Sequence, residues 1–186
     1  MKTNYKKLKN ILETYTDIYI FIILLIFPFI VNKDGFFHIL ECKWYSYLVI
    51  GMTYLTLNLV TLLYFYIFKK VNYFKNYKLS KVQLFAITLL IINILSCLLS
   101  PYLKDYNLLI GVGRGEGLII TSLYILSFLS ITLFGKFKRR YILYFSLLSI
   151  IHNGICVLQY IGFNPLNMYQ NGIGTHNVSF MGTIGN

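Results

Sequence analysis

Residues 82–100 read VQLFAITLLIINILSCLLS, 19 consecutive positions without a charged side chain. A helix that crosses the hydrocarbon layer needs about 20 such residues, with a working range of roughly 17 to 25. Working outward from this stretch, four more apolar segments follow the same rule: Ile18–Val31, Trp44–Phe68, Gly117–Phe134 and Tyr141–Phe163. The first is short and contains Pro28, so it must draw on flanking residues such as Tyr15 and Phe36, or tilt or thin the bilayer locally. The sequence therefore predicts an all-α, polytopic integral membrane protein of about five transmembrane helices. Its parts are a basic cytoplasmic N-terminus (1–17), the membrane region (18–163, with spans 18–31, 44–68, 82–100, 117–134 and 141–163) and an outer loop (164–186).

Composition agrees. Of 186 residues, 57% are hydrophobic and 12% charged, and the mean hydropathy is +0.65; a soluble domain carries about 25% charged residues. The net charge of +11 does not mark a nucleic-acid binder, because the basic residues form short clusters between apolar runs, the pattern that orients membrane proteins. The N-terminal segment has Lys2, Lys6, Lys7 and Lys9. The second-to-third connection has Lys69, Lys70, Lys75, Lys78 and Lys81, and the fourth-to-fifth has Lys136, Lys138, Arg139 and Arg140. Together they hold 13 of the 17 basic residues. In the other two connections, Lys33 and Lys43 are balanced by Asp34 and Glu41, and Lys104 and Arg114 by Asp105 and Glu116. Basic clusters belong inside, so the N-terminus is expected in the cytoplasm and the C-terminus outside, in a multi-pass protein of the plasma (inner) membrane.

No small-x-small cleavage site follows the first apolar run, so it reads as a retained span rather than a signal peptide. Cys42, Cys97 and Cys156 are widely spaced and form no CxxC pair, which predicts neither a disulfide framework nor a metal site. Tyr45, Tyr47, Tyr66, Tyr141 and Tyr160 lie where aromatic rings anchor a helix at the interface. Tyr5–Tyr15 reads as a short amphipathic helix on the inner surface, with Leu8, Ile11 and Leu12 facing lipid.

The passage with most chemistry is residues 100–117, SPYLKDYNLLIGVGRGEG. Glycine occupies every second position from Gly111 to Gly117, a spacing that matches neither GxGxxG nor a P-loop. Such a run allows close backbone approach to a ligand or a helix. Arg114 is permanently charged and suited to bidentate phosphate recognition; a plain interfacial Arg114–Glu116 ion pair is the simpler alternative. His152, Asn153 and Gln159 lie inside the last span, where polar groups usually face a bundle interior and helix-to-helix hydrogen bonding is the ordinary role. His176 is a lone loop histidine, and Glu13 and Asp17 are placed to neutralise nearby lysines.

The order of these features resembles the first half of the O-antigen ligase-like and O-antigen polymerase-like membrane proteins of the Gram-positive type. Ser100-Pro101 follows the third span, Arg114-x-Glu116-Gly117 opens the fourth, and Leu158-Gln-Tyr-Ile-Gly-Phe-Asn-Pro165 closes the fifth. Gly182-Thr-Ile-Gly-Asn186 then looks like the start of a Gly-Asn-x-Asn motif, cut before a further span. The resemblance covers roughly Val82 to Asn186. It implies transfer of saccharide from an undecaprenyl-pyrophosphate carrier to a glycan acceptor on the outer face, with no cofactor and no metal. Arg114, with Gly113, Gly115 and Gly117, would bind the donor pyrophosphate, and Glu116 would be the catalytic carboxylate, orienting the arginine. It also implies that these 186 residues alone are inactive. The competing expectations are a lipid-linked sugar transporter or flippase, drawing on His152, Asn153, Asn93 and Asn58, and a small structural membrane subunit.

Overall fold

The computed structural model describes residues 2–31, 39–75, 77–102, 106–111 and 115–163, and these are helical apart from short connections, with no strand among them. The helices are α1 (Lys2–Phe21), α2 (Ile39–Lys69), α3 (Lys81–Leu98), α4 (Tyr106–Ile110), α5 (Leu118–Phe134) and α6 (Arg139–Tyr160). A π turn (Ile22–Ile26) and a 3-10 turn (Phe27–Phe29) continue α1. Four helices are long and apolar enough to cross a membrane: Thr3–Phe29, Ile39–Lys69, Lys81–Leu98 and Arg139–Tyr160. At 17 residues, α5 is shorter, about 25 Å against a hydrocarbon layer of about 30 Å. The chain divides into two compact units, Met1–Tyr19 with Leu48–Lys136, and Ile20–Tyr47 with Phe137–Asn186.

In the first unit, α3 and α5 pack together, and the sequence pins their facing ends. Ser80 caps α3: its side chain accepts from the Gln83 backbone N–H (3.3 Å), while the Gln83 side-chain Oε1 accepts from the Ser80 backbone N–H (2.9 Å). This capping box answers helix-end donors that would otherwise be bare. The remaining side of the buried Gln83 amide donates to Thr132 near the C-terminal end of α5 (3.2 Å). The helices are thus antiparallel, and the N-terminal end of α3 meets the C-terminal end of α5. Along α5 the buried positions are Ile120, Leu123, Ser127 and Phe134, the spacing of a single helix face. Gly51 of α2 admits the Leu123 side chain, and a Cβ there would lie 2.9 Å from it.

The N-terminal segment departs from the surface helix expected of Tyr5–Tyr15. It is one helix with the first span, starting at Lys2, and Leu8 and Leu12 are fully buried rather than turned to lipid. They form a core with Phe65, Val71 and Phe134, with Ile11 packed against it. The reason is tertiary: the ends of α2 and α5 offer this face a protein partner, and Tyr73 reinforces it. The Tyr73 ring stacks on Tyr5 and its hydroxyl donates to the Leu133 carbonyl (3.2 Å). Burial, and secondarily the nearby Tyr5, Tyr77 and Glu13, push the Tyr73 phenol above its ordinary pKa. Glu13 pairs with Lys136 at 2.9 Å, a lysine brought close by the fold. Deeper along α1, Thr16 shares a hydrogen bond with the Tyr54 hydroxyl (2.9 Å) and Tyr19 stacks on Tyr54.

In the second unit, Pro28 shapes the end of the first span. Proline has no N–H to continue the helical ladder, and the chain widens before it, with the Phe27 N–H reaching Ile22 in the π register. The freed Pro28 carbonyl accepts from the buried Lys43 ammonium at 3.2 Å. Lys43 therefore has a helix-end role beside its expected balance with Glu41. Lys33, Asp34 and Phe36 lie outside the described residues. The π turn packs on α6, where Phe21 meets Tyr144 edge-on.

The buried position of Leu12 is testable. Leu12→Ala should cost about 2–5 kcal/mol, as for a core leucine, whereas Ile18→Ala, at a side chain 51% exposed, should cost less than about 1 kcal/mol. Denaturant unfolding in detergent micelles measures both; equal small effects would return Leu12 to the lipid-facing role.

Candidate functional site

The glycine-rich passage folds back on itself where α4 hands over to α5. Gly111 ends α4: its N–H donates to the Asn107 carbonyl at 2.7 Å, and its φ of +94° is in the region that favours glycine. Gly115 is likewise left-handed, at +69°. The Gly117 N–H then donates to the Ile110 carbonyl at 3.0 Å, closing the loop immediately before α5. A Cβ on Gly117 would collide with the Leu109 carbonyl oxygen, and one on Gly111 would lie 2.5 Å from the Glu116 nitrogen. These two glycines permit backbone to lie on backbone. The close approach expected for a ligand is made, at these two positions, by the chain itself. Gly113 and Arg114, and with them any Arg114–Glu116 ion pair, lie outside the described residues.

Beside this loop, between the C-terminal part of α3 and the start of α5, is a cavity of about 240 Å³. Asn93, Ser96, Cys97 and Ser100 line one side, Glu116, Gly117, Leu118 and Thr121 the other, with Leu108 of α4 between them. The spacing of 93 and 96/97 places three positions of α3 on one helical face, and Ser100 follows just beyond the end of the helix. An apolar span thus turns its small polar side chains toward a single hole. The Thr121 hydroxyl donates to the Gly117 carbonyl (3.0 Å) and the Ser100 hydroxyl accepts from the Tyr102 N–H (3.2 Å), so both are held in fixed orientations. Among the described residues no cationic side chain lines the cavity; Glu116, exposed, is its one formal charge.

The structure therefore joins Glu116, Gly117 and Asn93 in one place, with Gly115 in the adjoining loop. It does not join all the polar residues singled out in the spans. Asn58 is buried on α2, with Tyr54 one turn before it. In the second unit, the His152 ring lies 3.9 Å from the Cys156 sulfur on α6, while Asn153 is exposed. His176 lies outside the described residues. Ser96 and Thr121 were not among the residues the sequence singled out, and Ser100 entered only through the Ser100-Pro101 motif; the signal was a run of small polar residues at helical spacing beside that motif.

The sequence matches no protein-family model and no curated protein, and the fold matches no solved structure.

The loop geometry predicts a sharp contrast between two glycines. Gly117→Ala should cost several kcal/mol (on the order of an overpacked or strained core site, about 2 or more), because the clash is with backbone. Gly154→Ala, with open space around its Cβ on α6, should be neutral or stabilising by up to about 1 kcal/mol. Thermal unfolding of both variants in one detergent decides it, and a tolerated Gly117→Ala would contradict the closed loop.

Proposed function

We propose that the chain is the N-terminal part of a bacterial cell-surface glycan ligase or polymerase, carried in the plasma (inner) membrane with five spans, α5 being the fourth and a short one. The reaction is saccharide transfer from an undecaprenyl-pyrophosphate donor to a glycan acceptor on the outer face. The observation that supports it is the polar cavity between α3 and α5, bordered by Glu116 and lying at the opposite end of that helix pair from the lysine-rich connections. By the positive-inside rule, the lysine-rich end is cytoplasmic and the cavity opens outward. Lipid-linked glycans are presented there.

The chemistry asks for two things. Pyrophosphate leaves with its negative charge, which needs a fixed cation; Arg114, two residues from Glu116, supplies a planar guanidinium that can grip two oxygens at once. The acceptor hydroxyl must lose its proton as its oxygen bonds to the anomeric carbon and the carbon–phosphate-oxygen bond breaks. Glu116 is the carboxylate placed to receive that proton, or to polarise the hydroxyl. Gly111, Gly115 and Gly117 shape the backbone that carries Glu116 to the border of the cavity.

The test is glycan transfer in cells whose only copy of the gene carries Arg114→Ala. Transfer should fall by at least about a hundredfold, the scale of losing one charge-stabilising group, while the amount of protein in the membrane fraction stays normal. Normal transfer by that variant would overturn the role of Arg114 and remove the main chemical argument for this reading.

A further inference from the structure

Seventeen basic residues stand against six acidic ones in this chain, a net charge of +11, so most of its cations have no acidic side chain to pair with. The exposed side of α1 gathers two of them around an open hollow of about 530 Å³. Thr3, Lys6, Lys7, Asn10 and Thr14 line it, all of them exposed and at the three-to-four spacing of one helical face. The other face of the same turns holds Leu8 and Leu12 in the core, so the helix is anchored while this side stays open. Glu13, the carboxylate nearest to these lysines in sequence, is taken by Lys136. Two ammonium groups, an amide and the Thr3 hydroxyl bring their donors to one place, which is the chemistry of a phosphate site. The Thr14 hydroxyl donates to the Asn10 carbonyl (2.8 Å), which leaves its oxygen to accept.

Depth in the bilayer identifies the source of the phosphate. Leu8 and Leu12 pack in one core with Phe65 and Phe134, which lie in the last turn of apolar runs ending at Phe68 and Phe134. These turns of α1 are therefore level with the place where α2 and α5 leave the hydrocarbon. Lys6 and Lys7 come just before Leu8, about 3 Å or less farther along the axis, within a headgroup layer about 5–7 Å deep on each side. In the other direction Ile11 and Tyr15 line the hollow, and Ile18, exposed, continues the same side of the helix towards the hydrocarbon. Cationic at one end and apolar at the other, the groove has the polarity of a lipid molecule rather than of a soluble anion. A zwitterionic headgroup would bring its own cation towards the lysines, so a net negative headgroup fits better. We propose that the hollow along Thr3, Lys6, Lys7, Asn10 and Thr14 seats the phosphate of an anionic phospholipid, in the leaflet on the side of the lysine-rich connections, with an acyl chain along Ile11, Tyr15 and Ile18. The site is independent of the glycan-transfer reading and is tested without it.

The experiment is native mass spectrometry of the full chain in an uncharged detergent. It measures affinity for phosphatidylglycerol and phosphatidylcholine with the same acyl chains, and for inorganic phosphate. One lysine near a membrane surface adds about fivefold to the binding of an anionic lipid, so phosphatidylglycerol should bind at least about tenfold more tightly than phosphatidylcholine. Lys6→Gln together with Lys7→Gln should bring the two lipids level. Both positions are exposed, so the variant keeps its fold. Asn10→Leu should lower phosphatidylglycerol affinity severalfold with both lysines in place. Lys78→Gln with Lys81→Gln, which removes two charges from the connection before α3 and none from the hollow, should leave the preference intact. If the two lipids bind alike to the parent chain, no lipid phosphate occupies the hollow, its counter-charge is an acidic protein segment, and the proposal is overturned. If the Lys78/Lys81 variant loses as much preference as the Lys6/Lys7 variant, the attraction is diffuse and there is no seat on α1. If inorganic phosphate displaces the lipid at comparable concentration and through the same two lysines, the hollow is a soluble-anion site and the lipid assignment is wrong.

Discussion

Inside a hydrocarbon layer there is no water to satisfy a bare backbone N–H or C=O, and each one left unpaired costs several kcal/mol. Several helix ends and breaks among the described residues carry partners for backbone groups that the helical ladder leaves over. Ser80 and Gln83 answer each other's N–H groups at the start of α3. Before Pro28 the ladder shifts to π register, and beyond it, where the helix runs out, Lys43 donates to the Pro28 carbonyl. At the handover from α4 to α5, Gly117 gives its N–H to Ile110. Large hydrophobic residues along α2, α3 and α6 remain exposed.

The two ends of the α3–α5 pair then take on different characters. One end carries the lysine-bearing connections and is closed by Leu8, Leu12, Phe65, Val71 and Phe134. Its Lys136–Glu13 pair adds little, since the lysine is 59% exposed and such pairs are worth under about 1 kcal/mol; hydrophobic burial does most of the holding. The other end is left open around small polar side chains, next to a loop that glycine alone can close.

Much of this was legible in the sequence because lipid simplifies the reading. Charge-free runs of about 20 residues announce themselves, and four helices long and apolar enough to span a membrane lie where such runs were found. The partner of an apolar face was harder to see. Leu8 and Leu12 carried the periodicity of a one-sided helix, but Phe65 and Phe134, which cover them, are far away in sequence, and lipid was the nearer guess. The same distance hid the Gln83–Thr132 hydrogen bond, although the Ser80-x-x-Gln83 capping box was written in the chain. At the site, the glycines were conspicuous while their use was not, since alternating glycine says only that something comes close. Here that something is the backbone of residues 109–111 and 115–117. Ser96 and Thr121 gave no signal of their own because a serine or threonine in an apolar span usually bonds its own helix.

The central claim is that the α3–α5 cavity opens to water on the side of the membrane away from the lysine-rich connections. It is tested most directly by labelling single cysteines with a membrane-impermeant maleimide on intact cells, after Cys42, Cys97 and Cys156 are replaced by serine or alanine. With a cysteine at Ser96 in the cavity, the account predicts prompt labelling from outside. With one at Lys78 in the connection before α3, it predicts labelling only after the membrane is permeabilised. The reverse pattern would invert the topology, and failure to label Ser96→Cys from either side would mean that the cavity is sealed by lipid or protein and serves no water-borne or headgroup-level ligand.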